Sequence, residues 1–342
     1  MARAEPALEH PLKRLRILIG VAISLALVVW LFRSVDRERL VAQILQTDWR
    51  WLLISAALAP AGLLARARRW RYLFPPNSEP PALVPAMMIG YMVNNVLPLR
   101  AGELVRVYVV ARRWGDHFWT TAATLIVERV LDSLCIVLIL GVLVFLVPVP
   151  HVVEWAAVIM LAIDVVGVTV LVAIATTPAR CRRIIEGLTR RWPALSARLL
   201  QGFERFLHGL DGIRTRSHVL PLLVWTIVIW LIPAAAAWTC LRAVNLHLPW
   251  LAGWVVLAFV GLGVSIPSAP GYVGVFHAAA VLATRIFGVP ETDGLGYGIV
   301  FHVSAFIPVT VLGWIYLVRE HMTLGEATRA RAPETETTPP AR

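Results

Sequence analysis

The stretch NNVLPLRAGELVR, Asn94 to Arg106, interrupts an apolar run with two asparagines, a proline, a glycine, a glutamate and two arginines. A second apolar run, IVERVLDSLCIVLILGVLV, carries Glu128, Arg129 and Asp132 near its start. Guanidinium groups match carboxylate and phosphate oxygens in a planar, two-pronged way, and asparagine adds neutral donors and acceptors. Asn94, Asn95, Arg100, Glu103, Arg106, Glu128, Arg129 and Asp132 therefore form a candidate site for an anionic head group, phosphate above all. Glu128 and Asp132 lie four residues apart and share a helix face, so Arg129 alone does not serve both. Arg100 and Arg106 are the expected partners. The same residues also fit a purely structural set of ion pairs pinning one segment to the next.

These charges lie deep in apolar sequence. Counted from Thr120 at about 1.5 Å per residue, Glu128 sits about 12 Å and Asp132 about 18 Å along a helix. The chain is 58% hydrophobic and 15% charged, with a mean hydropathy of +0.71, which makes it a polytopic integral membrane protein. Each unpaired charge near the bilayer centre costs roughly 2.5–3.5 kcal/mol, so the cluster must be paired or wet. The net charge of +11 does not point to nucleic acid, because the arginines gather at the ends of apolar runs, as the positive-inside rule expects. No metal-ligand spacing and no phosphate-loop signature is present, so no metal and no cofactor is expected.

Runs of about 20 apolar residues predict six spanning helices, at about 15–32, 50–66, 120–147, 152–176, 218–241 and 294–318. The first has no cleavage site after it and reads as a retained helix. Arg66, Arg68, Arg69 and Arg71 mark the inner end of the second. Two further segments, 82–113 and 250–288, break the charge pattern if they cross. They are expected to enter and leave by one face each, as re-entrant helical hairpins turning at LPLRAG and IPSAPGYVG. Broken backbone at membrane depth requires burial in protein or a wet cavity. Helix, hairpin, helix over 50–147 and again, in the opposite sense, over 218–318 is an inverted repeat of the kind secondary transporters use. The fold class is thus an all-α membrane protein forming one transmembrane domain, 1–318, with halves at about 15–147 and 152–318. A basic amphipathic helix over 178–217 is expected on the cytoplasmic side, against anionic lipid or under the bundle. The tail, 319–342, reads as disordered. Both termini are expected in the cytoplasm and the chain in the cell membrane.

In the second hairpin, Ser268, Pro270, Gly271, Gly274 and His277 are the candidate site residues. A helix beginning after Pro270-Gly271 would offer free N–H groups to an anionic ligand. Asp164, in the middle of its run, is either a partner for a basic group or a proton carrier. His302, alone on an apolar helix, reads as a core residue.

NNVLPLRAGELVR, ERVLD and PSAPGYVGVF, in this order, resemble the lysylphosphatidylglycerol synthase transmembrane-domain family, also called flippase-like. The motifs span Asn94 to His277, and the hydropathy order extends the likeness to nearly the whole chain. Bifunctional members, similar to the multiple peptide resistance factor, carry an aminoacyl-transferase domain after the membrane part. This chain stops soon after its last span, so lipid lysylation is not expected. The resemblance implies the lipid-translocating half, with two re-entrant hairpins. One departure stands out: the family's PGGxGxF pattern, followed by a glutamate, has Tyr272 in place of the second glycine here and His277 in place of the acid.

The leading functional expectation is a translocase moving an anionic or polyprenyl-phosphate-type lipid between leaflets, with membrane lipids as its partners and no enzymatic activity. A second is a scaffold or accessory subunit holding lipid- or envelope-synthesis enzymes together. A third is a polyprenyl-phosphate-dependent glycosyltransferase using Asp36 and Glu38 of the first outer loop, although Arg33, Arg37 and Arg39 make that loop look solvated.

Overall fold

The computed structural model describes residues 9–33, 35–97, 101–115, 117–265, 268–323 and 325–326, with side chains from residue 18 onward. Arg100 lies outside the described residues, as does the tail from 327 on. Among the described residues the elements are helical: α1 (Glu9–Arg33), α2 (Arg37–Leu45), α3 (Trp49–Arg71), α4 (Leu83–Val96), α5 (Gly102–Trp114), α6 (Phe118–Leu146) and α7 (His151–Thr176) come first. They are followed by α8 (Pro178–Thr189), α9 (Pro193–Gly209), α10 (Asp211–Arg214), α11 (Arg216–Ala243), α12 (Leu251–Gly263), α13 (Val275–Arg285) and α14 (Glu291–Arg319).

Helices α3, α6, α7, α11 and α14 are long and apolar enough to cross a bilayer. The chain is an all-α polytopic membrane protein. Its first apolar stretch is less simple than a single span, because α1 turns by 97° into α2. Asp36, expected in a solvated loop, instead caps α2: its Oδ1 accepts from the backbone N–H groups of Glu38 and Arg39 at 3.0 and 3.1 Å. Capping satisfies donors that a helix start otherwise leaves open. Arg39 then fixes α2 to α14 through two hydrogen bonds to Asp293, 2.9 and 2.6 Å long.

The short helices α4 and α12 each run into a break and return as α5 and α13. Helices α4 and α5 pack antiparallel, with Asn94 beside Gly102 and Gly90 beside Arg106. A Cβ on Gly102 would run into the Gly90 carbonyl, so this closeness requires glycine. The second break holds a single 3-10 turn, Pro270–Tyr272. Gly271 and Gly274 take φ of 74° and 87° there, conformations open to glycine without steric penalty. Tyr272 takes φ 57° between them, in a region that costs other residues about 1–2 kcal/mol.

The two halves pack as an inverted pair. Helix α3 runs antiparallel to α11, with Asp48 N–H donating to the Ala243 carbonyl at one end and Arg66 beside Trp230 at the other. Helix α4 packs on α14 and, correspondingly, α12 packs on α6. Ser55 of α3 reaches the Ala236 carbonyl of α11 at 3.0 Å and Ser304 of α14 at 3.3 Å, tying the three central helices together.

The 178–217 segment is three helices rather than one. Pro193 lacks an N–H, which costs least in the first turn of a helix, and it opens α9 there. Helix α9 seats under α6, where Thr120 donates to the Arg205 carbonyl at 3.1 Å and Gly202 and Gly209 face Trp119 and Thr120. Ile184, Leu188 and Trp192 remain exposed beside it.

Candidate functional site

Seven charged side chains from three helices meet where α5 approaches α6. Arg106 of α5 grips Glu128 of α6 with both terminal nitrogens, Nη2–Oε2 at 2.6 Å and Nη1–Oε1 at 3.3 Å. Both side chains are only 1% exposed. The Arg106 guanidinium also lies 4.4 Å from the ring centroid of the buried Trp70, a cation–π contact. Trp70 is itself fixed by its Nε1–H donating to Thr124 Oγ1 at 3.0 Å.

Asp132, one helical turn on, forms no ion pair with the described residues of the Asn94–Arg106 stretch. Its partners come from α3: Arg66 Nη1 donates to Oδ2 at 2.9 Å, and Arg69 Nη2 lies 2.6 Å from Oδ1. The second contact is off the hydrogen-bonding direction, which leaves Arg69 Nε, Nη1 and Nη2 without hydrogen-bond partners although buried. That pair is held by Coulomb attraction. Arg66 and Arg69, read from the sequence as markers of a helix end, are thus inside the protein. Spacing alone did not mark them: Arg66 and Arg69, three residues apart, share one face, but so do Arg68 and Arg71, which point the other way and are exposed.

Arg129 bridges the set. Its Nη2 donates to Glu128 Oε1 at 2.6 Å and lies 3.2 Å from Asp132 Oδ2. Nη1 is 3.6 Å from Glu103 Oε1. At 35% exposed, Arg129 is the most open side chain of the group, with Glu103 next at 25%. Arg66, Arg69, Arg106 and Arg129 face Glu103, Glu128 and Asp132, so the cluster carries one unbalanced positive charge.

That charge borders a cavity of about 190 Å³, lined by Arg106, Arg129, Glu103, Asn94, Asn95 and Tyr91 with Val264 and Tyr272. A second cavity of about 270 Å³, mostly apolar but with Arg66 in its wall, adjoins it and shares Tyr91, Asn95, Val264 and Tyr272. Asn94 and Asn95 also have structural partners. Asn94 Oδ1 accepts from the Gly102 N–H at 2.8 Å, closing the first hairpin, and Asn95 Nδ2 donates to Thr310 of α14 at 2.9 Å.

The second hairpin contributes less to this site than its sequence suggests. Its turn reaches the first hairpin through Gly271, which faces the Asn95 carbonyl, and Tyr272. Pro270 is exposed, Ser268 Oγ has no hydrogen-bond partner among the described residues, and the Ser268 backbone packs on Gly20 of α1. Gly274 packs on the Ser24 carbonyl. At the start of α13 the Gly274 N–H donates to His277 Nδ1 at 3.3 Å. Accepting there, a neutral His277 carries its proton on Nε2, which lies 3.3 Å from His302 Nδ1. His302 also stacks on Phe276 with ring centroids 4.7 Å apart. The histidine that the sequence marked as core is therefore the partner of the one it marked as site, and neither joins the arginine cluster. Asp164 stands apart too: it is buried in α7, its Oδ2 has no hydrogen-bond partner, and it forms no ion pair among the described residues.

Residues 17–313 match the family described as lysylphosphatidylglycerol synthase TM region. The chain belongs to that family. Neither a curated protein nor a solved structure matches it. Family membership places this membrane protein in lipid or envelope metabolism.

Proposed function

We propose that this family member moves an anionic lipid, a phospholipid or a polyprenyl phosphate, between the leaflets of the cell membrane. The reading rests chiefly on the unbalanced guanidinium charge at a cavity that adjoins a mostly apolar one. A phosphate-bearing head group matches the first chamber, and hydrocarbon matches the second. Charge-assisted hydrogen bonds from arginine to phosphate are strong and directional. They gain further strength where water is scarce.

The hairpins supply the second support. Helices α4 and α12 have 14 and 13 residues, or about 20 Å each, short of the roughly 30 Å hydrocarbon core. On this reading both hairpins are re-entrant, their turns meet at the cavity near mid-membrane, and each opens in alternation to one face. The arginine-rich end of α3, with both chain termini, faces the cytoplasm. No covalent bond is made or broken in this cycle.

Purified protein in liposomes containing fluorescent phosphatidylglycerol tests the proposal. Inner-leaflet probe is expected to move outward, and so to be bleached by a membrane-impermeant reductant, faster than in protein-free vesicles. Equal rates with and without folded protein would overturn it.

A further inference from the structure

A third, larger cavity of about 690 Å³ lies away from the arginine cluster, on the other side of α3. It falls within the roughly 300–1,000 Å³ typical of ligand pockets. Its walls are Ala61 and Leu64 of α3, Leu83 of α4, and Trp225, Val228 and Ile232 of α11. Leu64 is 47% exposed, so the groove opens sideways toward the bilayer. At one end stand Arg68 and Arg71, both exposed, and neither has an ion pair or side-chain hydrogen bond among the described residues.

We infer that this groove is a binding site for one anionic glycerophospholipid, held with its phosphate on Arg68 and Arg71 and an acyl chain along α3. Length carries the argument along with charge. From Ala61 to Arg71 the groove follows ten residues of helix, about 15 Å, which equals about half the 30 Å hydrocarbon core. The groove is therefore one leaflet deep, with its arginines at the interface end and Ile232 at the mid-membrane end. Arg66 and Arg69 have carboxylate partners inside the protein, while Arg68 and Arg71, on the same turns, are left for a ligand. Ile232 lines both this groove and the central apolar cavity, so a lipid resting here lies one side chain from the proposed conduit. The site stands whether or not lipid crosses at the arginine cluster.

Trp225 makes the occupant measurable. The protein is placed in nanodiscs with rising fractions of acyl-brominated phosphatidylglycerol or acyl-brominated phosphatidylcholine, and the Trp225 signal is taken as the difference from a Trp225→Phe variant. Phosphatidylglycerol is expected to quench Trp225 at a roughly tenfold lower mole fraction, since each interfacial arginine favours anionic lipid. The Arg68→Gln/Arg71→Gln variant is expected to lose that preference while still being quenched by both lipids. Equal quenching by the two lipids, a preference that survives the double substitution, or no quenching of Trp225 by either lipid overturns the assignment. Arg129→Gln, which bears on the translocation proposal, is expected to leave this quenching unchanged, so the two readings fail separately.

Discussion

Arg106 and Glu128 face each other with two hydrogen bonds inside a helical bundle, each only 1% exposed. Breaking such a pair from one side leaves a buried charge uncompensated, a loss of about 3–5 kcal/mol. Glu128→Gln is therefore expected to lower the melting temperature in detergent sharply, because Arg106 has no other carboxylate partner among the described residues. Arg106→Met combined with Glu128→Leu is expected to recover most of that loss. If the double variant melts at the sum of the two single losses, the pair is not a coupled unit.

Gly102 closes the first hairpin at a distance that admits no side chain. Gly102→Ala forces α5 away from α4 and disturbs the Asn94 hydrogen bond that spans the turn. Overpacking of this kind costs about 1–3 kcal/mol. The expected signature is a lower melting temperature together with slower lipid movement, since Arg106 is carried on the displaced helix. An unchanged melting temperature would mean that the two helices are not packed at this point.

Tyr272 holds a backbone conformation that glycine adopts freely. Tyr272→Ala keeps the strain and removes the ring shared by the two cavities, whereas Tyr272→Gly removes both. The glycine variant is expected to be the more stable of the two by about 1 kcal/mol, read from chemical or thermal unfolding. Both are expected to merge the polar and apolar chambers and so accelerate translocation. Equal stability of the two variants would show that φ at this position is not constrained.

Much of the architecture was legible because membrane constraints are coarse and strong. A short apolar helix followed by Pro, Gly and charge must break, and the breaks after α4 and α12 were legible in this way. The partner of Glu128 was legible because Arg106 lies in the adjoining hairpin. The partners of Asp132 were missed: arginines at a helix end satisfy the positive-inside pattern equally well whether they face lipid or protein. Only the helical phase of Arg66 and Arg69 against Glu128 and Asp132 separates the two cases. The His277–His302 contact was beyond reach, since nothing in two separate apolar runs fixes which faces meet. The bend between α1 and α2 was hidden as well, because Asp36 reads as a solvated loop residue until its cap hydrogen bonds are in view.

Arg129 is the open edge of the cluster and lines its cavity, while Glu128 and Asp132 keep other guanidinium partners without it. Arg129→Gln is therefore expected to fold and to remove the unbalanced charge. The decisive measurement is the ratio of translocation rates for fluorescent phosphatidylglycerol and fluorescent phosphatidylcholine, taken in the same liposomes with the native chain and with Arg129→Gln. The native chain is expected to favour phosphatidylglycerol, and the variant to bring the ratio close to one by slowing that lipid about 10- to 100-fold, the loss of one charge-assisted contact. A native ratio of one, or a preference for phosphatidylglycerol that Arg129→Gln leaves intact, contradicts the account.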